Sequence, residues 1–242
     1  MKTFLYYFLI FYIYSVLGWI MESTYVSIKQ KKFVDRGFLI GPYCPIYGWG
    51  SLTIILYLEQ YKNNFITVFI LGVVICAFLE YITSYIMEKI FKARWWDYSD
   101  KKFNLNGRIC GENAILFGIG GLLIIYIIEP IIDNYISKIN IFCLSLLSII
   151  FFIIFIIDTI VSFKIVNKLK ENLGNIEIKR DSTQEMKTLI TDILNNNFHG
   201  QKIIKNIFQR RIIKAFPNFD IKKFITINND KVKNIKELFI KK

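Results

Sequence analysis

The stretch "RGFLIGPYCPIYGWG", residues 36–50, carries two prolines and four glycines in fifteen positions and lies between two hydrophobic runs. It cannot open as an ordinary transmembrane helix, because proline removes a backbone donor and glycine weakens a helix interior. The spacing predicts an irregular segment from Gly37 to Cys44 that dips into the protein. A helix then starts at Pro45, a residue suited to a first helical turn. Irregular backbone at membrane depth is tolerated only where it lines a cavity or is buried by protein. A helix beginning there would aim free N–H groups and a partial positive charge at a cytoplasmic vestibule.

Working outward, hydrophobic residues make up 54% of the 242 and the mean hydropathy is +0.40, a membrane-protein profile. Five apolar runs approach or exceed the roughly 18 to 20 residues of a spanning helix: about residues 4–27, 46–58, 65–86, 114–132 and 141–163. The second is short for a full span. The expected fold is all-α and polytopic, with about five transmembrane helices in a domain over residues 1–163 and a short helical tail over residues 164–242. The first run lacks a small-residue cleavage site and contains Glu22, so it reads as a retained span.

Orientation follows the lysines and arginines of short loops. Lys29, Lys31, Lys32 and Arg36 follow the first run, and Lys89, Lys92, Arg94, Lys101, Lys102 and Arg108 follow the third; the second is followed only by Lys62 and the fourth only by Lys138. With the heavy use of Ile, Lys and Asn, which suggests an AT-rich bacterial genome, the expectation is a bacterial cell-membrane protein with its N-terminus outside and its tail in the cytoplasm. Residues 164–242 hold 18 Lys and Arg against 8 Asp and Glu, most of the formal net charge of +12. In the tail the last span continues to Lys170 and breaks at Gly174. Ser182 and Glu185 then form a capping pattern, and "IIKNIFQRRIIKAF" is amphipathic until Pro217 stops it. A basic amphipathic helix after a span fits the inner leaflet. No nucleic-acid motif accompanies the charge.

Several function classes are excluded. Cys44, Cys76, Cys110 and Cys143 have no paired spacing, which supports neither a disulfide framework nor a zinc site. Cys44 and Cys110 read as small packing residues. The single histidine, His199, lies in the tail, so the serines of the membrane part have no Ser-His partner. No G-x-x-x-x-G-K-[ST] string occurs, which excludes ATP hydrolysis through a Walker A loop. No cofactor or metal is expected.

The candidate site gathers the polar residues that a membrane domain has least reason to keep. Glu80, Ser84 and Glu88 recur at helical spacing and form one stripe. Glu80, deepest of these, reads as buried and paired, whereas Glu88 and Glu22 also fit a solvated interface. The loop "RWWDYSDKKFNLNGRIC", residues 94–110, is too particular for a tether. Arg94 and Arg108 offer planar forks for carboxylate or phosphate, Asp97 can pair with either, and Asn104 and Asn106 can donate or accept. Trp95, Trp96 and Tyr98 fit a membrane interface, and Glu112 and Asn113 fit capping positions. With Arg36, these residues read either as a cytoplasm-facing pocket for an anion or as a structural network in which the acids neutralise the arginines.

The strings "YSVLGWIMES", "RGFLIGPYCPIYGWG", "EYITSYIMEKIFKARWWDYS", "FNLNGRIC", "FIIDTIVS" and "QRRIIKAFP" resemble a family of bacterial integral membrane proteins named putative ABC-transporter type IV, or CmpB-like ABC transporter permeases. The resemblance covers roughly residues 4–217. It implies a permease-like membrane subunit that relies on a separate ATPase subunit, and five spans imply at least a homodimer. Two other readings stand beside it. One is a membrane-embedded enzyme or binding protein for an anionic lipid or phosphorylated headgroup, with Arg36, Arg94 and Arg108 on the phosphate and Glu80 or Glu88 as general base. The other is a non-catalytic scaffold.

Overall fold

The computed structural model describes residues 2–91, 94–177 and 207–215. Its elements are helical: α1 Lys2–Gln30, α2 Pro45–Leu58, α3 Phe65–Phe91, α4 Gly111–Leu123, α5 Glu129–Ile136, α6 Ile141–Glu177 and α7 Ile207–Ala215. Among the described residues no strand forms; an isolated bridge pairs Leu105 with Ile109. Contacts divide the chain into one unit of Met1–Tyr85 with Asp97–Ile160 and a second of Ile86–Trp96 with Val161–Lys242.

Among the described residues, four helical stretches are long and apolar enough to cross a membrane: Thr3–Gln30, Phe65–Phe91, Gly111–Ile136 and Ile141–Leu169. The second apolar run does not join them as a helix of spanning length, so the expected count of five is not confirmed. Its helix has 14 residues, about 21 Å at 1.5 Å per residue, against a hydrocarbon core of about 30 Å.

In the first unit, α2 begins halfway along α1. The Cys44 N–H donates to the Ser15 carbonyl at 2.8 Å, and Ser15 lies near the middle of the 29-residue α1. From there α2 runs antiparallel to α1. Tyr47 sits against Gly18, Trp49 against Phe11, and Ile55 joins a cluster with Leu9 and Ile10. Residues 31–44 therefore return from the Gln30 end of α1 to its midpoint without helix, and α2 covers the other half. The close approach depends on glycine. A Cβ at Gly48 would collide with Ser15 and come within 2.5 Å of the Phe11 carbonyl oxygen, and one at Gly18 would collide with the Tyr47 ring.

α6 runs alongside α1 in the same direction, as the ascending pairs Leu5–Ser148, Phe8–Phe152 and Phe11–Phe155 show. α3 and α4 approach through Gly72, with the Cα of Gly121 and Gly118 3.7 and 3.8 Å from where its Cβ would stand, the small-residue contact common between membrane helices. A π-turn at Ile124–Ile128 separates α4 from α5. Pro130 follows it, and a proline inside a helix disrupts the hydrogen bonding of the preceding turn.

In the second unit, the Phe91 ring packs 5.1 Å from Phe163 and edge-on to Trp95 at 5.7 Å. Gln209 of α7 donates to the Ile165 carbonyl at 3.4 Å, and Ile212 and Ala215 are buried on the same helix. α6 continues through Gly174 to Glu177, correcting the predicted break. Glycine costs about 1 kcal/mol inside a helix but does not by itself end one. Ser182, Glu185, His199 and Pro217 lie outside the described residues.

Candidate functional site

The irregular segment is held by one carboxylate. Asp158 follows Phe155 by nearly one turn of α6, at the level of Ser15, and is 9% exposed. Its Oδ1 accepts the Ile40 N–H at 2.9 Å and its Oδ2 the Gly41 N–H at 2.7 Å and the Tyr43 hydroxyl. A charge at this depth is tolerated when donors satisfy it. Conversely, the bare N–H groups of a non-helical segment need acceptors, and the arrangement meets both needs at once. Gly37 (φ +113°) turns the chain into the segment in a conformation that favours glycine.

Toward the Gln30 end of α1, the Arg36 Nε donates to Glu22 Oε2 at 3.0 Å, and the Tyr47 hydroxyl donates to Glu22 Oε1 at 2.7 Å. The Arg36 N–H rests on the Ser23 hydroxyl at 3.1 Å, and Trp19 donates its indole N–H to Asp35 at 2.9 Å. Segment 31–36 is thus tied to α1 through the side chains of Trp19, Glu22 and Ser23, within about one turn of each other.

The loop after α3 is built by its asparagines. Asn106 (φ 53°) and Gly107 (φ 65°) are both left-handed, and the Arg108 N–H closes onto the Leu105 carbonyl at 3.0 Å. This is the type I′ geometry that Asn-Gly favours. Asn104 donates to the Ser99 and Lys101 carbonyls and accepts from the Gly107 N–H, while Asn106 donates to the Tyr81 hydroxyl at 3.0 Å. Asp97 accepts from the Ser99 N–H and hydroxyl. The Gly107 carbonyl accepts the Tyr98 N–H at 2.8 Å, so the turn fixes Tyr98. Its hydroxyl donates to Glu80 Oε1 at 3.2 Å. Burial, then the nearby Glu80 and Glu22 carboxylates, raise the Tyr98 pKa above its ordinary value.

Each of the three arginines expected at the site has its own partner. Arg36 is on Glu22. Arg108, 8% exposed, donates to the Ser84 hydroxyl at 3.1 Å with its guanidinium 5.7 and 5.5 Å from the Tyr81 and Tyr85 ring centres, a cation–π arrangement. In the second unit, Arg94 donates to Glu88 at 3.4 Å, both side chains 16% exposed. Glu22, Arg36 and Glu80 therefore gather with Tyr47 and Tyr98 in the first unit, while Asp97, Asn104 and Asn106 build the loop that carries Tyr98. Glu22 and Glu88 are arginine-paired rather than merely solvated.

Other expectations shift as well. Trp95 is 3% exposed and packed on Phe91, a core position rather than an interfacial anchor. Cys110, not Glu112 or Asn113, precedes the first turn of α4, and Glu112 instead accepts from Lys101 at 2.8 Å. Cys44 and Cys110 are buried thiols. Among the described residues no group of three or more His, Cys, Asp and Glu side chains could hold a metal ion. Asp158 is not among the residues that the sequence pattern gathers into the site. Its signal was the coincidence of one carboxylate deep in an apolar run with one proline-rich segment that needed acceptors.

No curated protein and no solved structure matches the chain. The profile of one family, described as "Putative ABC-transporter type IV", matches residues 9–163, which contain the broken segment, the loop after α3 and Asp158. With four helices of spanning length and apolarity, the chain is a multi-pass membrane protein that belongs to the family described as "Putative ABC-transporter type IV".

Proposed function

We propose that this chain is the membrane subunit of a transporter energised by a separate ATPase chain, with the Glu22, Arg36, Tyr47, Tyr98 and Glu80 cluster facing the cytoplasm as the polar site on its path. The observation that carries the reading is the half-span itself. Residues 31–44 enter non-helically to the midpoint of α1 and rest on Asp158, and discontinuous segments of this kind line binding sites in transporters. Family membership supports transport. The absence of a Walker A string supports an ATPase on another chain. The lysines and arginines around residues 29–36 and 89–108 support a cytoplasmic position for the cluster. The basic tail is the surface that docks the ATPase, and a homo-oligomer encloses the path.

The test is gentle purification of the tagged protein from its host membrane followed by native mass spectrometry. The reading expects a stoichiometric ATPase subunit and two or more copies of the chain. A chain that carries only bound lipid or a phosphorylated molecule, with no ATPase, contradicts it.

A further inference from the structure

The buried acids of the first unit are not equally satisfied. Asp158 takes two backbone N–H groups and a hydroxyl, and Glu22 takes Arg36 and Tyr47. Glu80, 7% exposed, takes a hydrogen bond from Tyr98 on Oε1 and has the Asn113 amide beside it, while no donor is aligned on its buried Oε2. Among the described residues no ion pair reaches it, and the other carboxylate of the cluster is Glu22. A buried carboxyl oxygen with no aligned donor is costly as a bare acceptor and is a place where a proton can sit as an O–H.

We infer that Glu80 binds an exchangeable proton on Oε2, making the Glu22, Tyr47, Tyr98 and Glu80 cluster a proton-binding site. Binding forms one O–H bond with a proton drawn from water and removes the negative charge; release returns the proton to water. Tyr98 keeps donating to Oε1 in both states. The groups facing Glu80 are Glu22 of α1 with Arg36 behind it, Tyr98 of the loop, the neutral Asn113 of α4 and Cys76 on its own helix, with Tyr47 of α2 reaching it through Glu22. A proton needs a single oxygen. A metal cation would need a fuller shell of oxygens, and the cluster supplies only two carboxylates. The inference deepens the reading of this cluster as the functional site.

The experiment is an infrared pH titration of the whole protein in lipid nanodiscs, in sodium and in potassium buffer. The expected result is a protonated-carboxyl band that persists at neutral pH, disappears in Glu80→Gln and does not depend on the cation. Tyr98→Phe, which removes a donor that favours the ionised form, moves its midpoint up by about one pH unit. Glu22→Gln, which removes the repelling charge, moves it down. A band absent at neutral pH, untouched by Glu80→Gln, erased by sodium alone, or unmoved by both neighbours overturns the inference. The titration needs no ATPase, so such a result leaves the outcome of the mass spectrometry standing.

Discussion

Asp158 and Gly41 meet at the mid-depth of α1: the Gly41 N–H donates to Asp158 Oδ2 at 2.7 Å across more than a hundred residues of sequence. This contact, with its neighbour from Ile40, lets a non-helical segment stand where a helix would otherwise be required. Replacing Asp158 with Asn puts an amide where three donors converge, so one donor faces another. Asp158→Asn is expected to cost about 2 kcal/mol or more, read as a lower unfolding midpoint in detergent, with Asp158→Ala costing more. Wild-type stability in the Asn variant would contradict the assignment.

The α1–α2 contact predicts a contrast among glycines. Gly48→Ala drives a methyl group into Ser15 and the Phe11 carbonyl, an overpacking expected to cost about 1–3 kcal/mol. Gly50 and Gly120 have nothing within 4 Å of an added Cβ, so alanine there is expected to be neutral or to stabilise by up to about 1 kcal/mol. Unfolding midpoints of the three single variants check the ordering.

The type I′ turn predicts a local effect at a distance from the helices. Gly107→Ala forces a side chain into the left-handed region at a cost of about 1 kcal/mol. Because the Gly107 carbonyl holds the Tyr98 N–H, amide hydrogen exchange is expected to quicken over residues 98–109 while α1 and α2 keep their protection.

Tyr98 gives the pH dependence. A phenol whose pKa is raised on folding stays protonated while the unfolded chain ionises. The stability associated with it is whole below about pH 10, the ordinary tyrosine value, and drains away above it. Between about pH 10 and pH 11 the wild-type protein is expected to lose more stability than Tyr98→Phe, measured by unfolding midpoints across that range.

Two of the ion pairs of the first unit differ in burial, which predicts unequal coupling. Arg36–Glu22 has side chains 17% and 31% exposed, against 59% for both partners of Lys62–Glu59. Double-mutant cycles are expected to give about 1 kcal/mol for the former and a few tenths for the latter.

Much of this architecture was readable from composition and punctuation. Long apolar runs fix helices because their backbone must be satisfied internally, and Pro42, Pro45 and the surrounding glycines announced that one run would be cut. The start of α2 at Pro45 is where proline chemistry put it. The partner of the broken segment was harder to read, because Asp158 meets it only in three dimensions. The Asn106–Gly107 turn carried a local signal, the Asn-Gly pair, hidden by reading those polar residues as ligands. Arg94 and Arg108 looked alike in sequence, yet one found a carboxylate and the other two tyrosine rings, a choice made by which helix face each loop residue meets. Tryptophan beside a span reads as interfacial, but Trp95 found Phe91 and a core instead.

The most direct test of the half-span is thiol accessibility in intact cells and in inside-out vesicles, with single cysteines at Lys32, Asn63 and Lys101 in a cysteine-free background. If residues 31–44 enter from the side of Gln30 and α2 completes the passage, an impermeant reagent labels Lys32→Cys and Lys101→Cys from the cytoplasmic face and Asn63→Cys from the opposite one. Labelling of Asn63→Cys from the same face as Lys32→Cys would contradict the account.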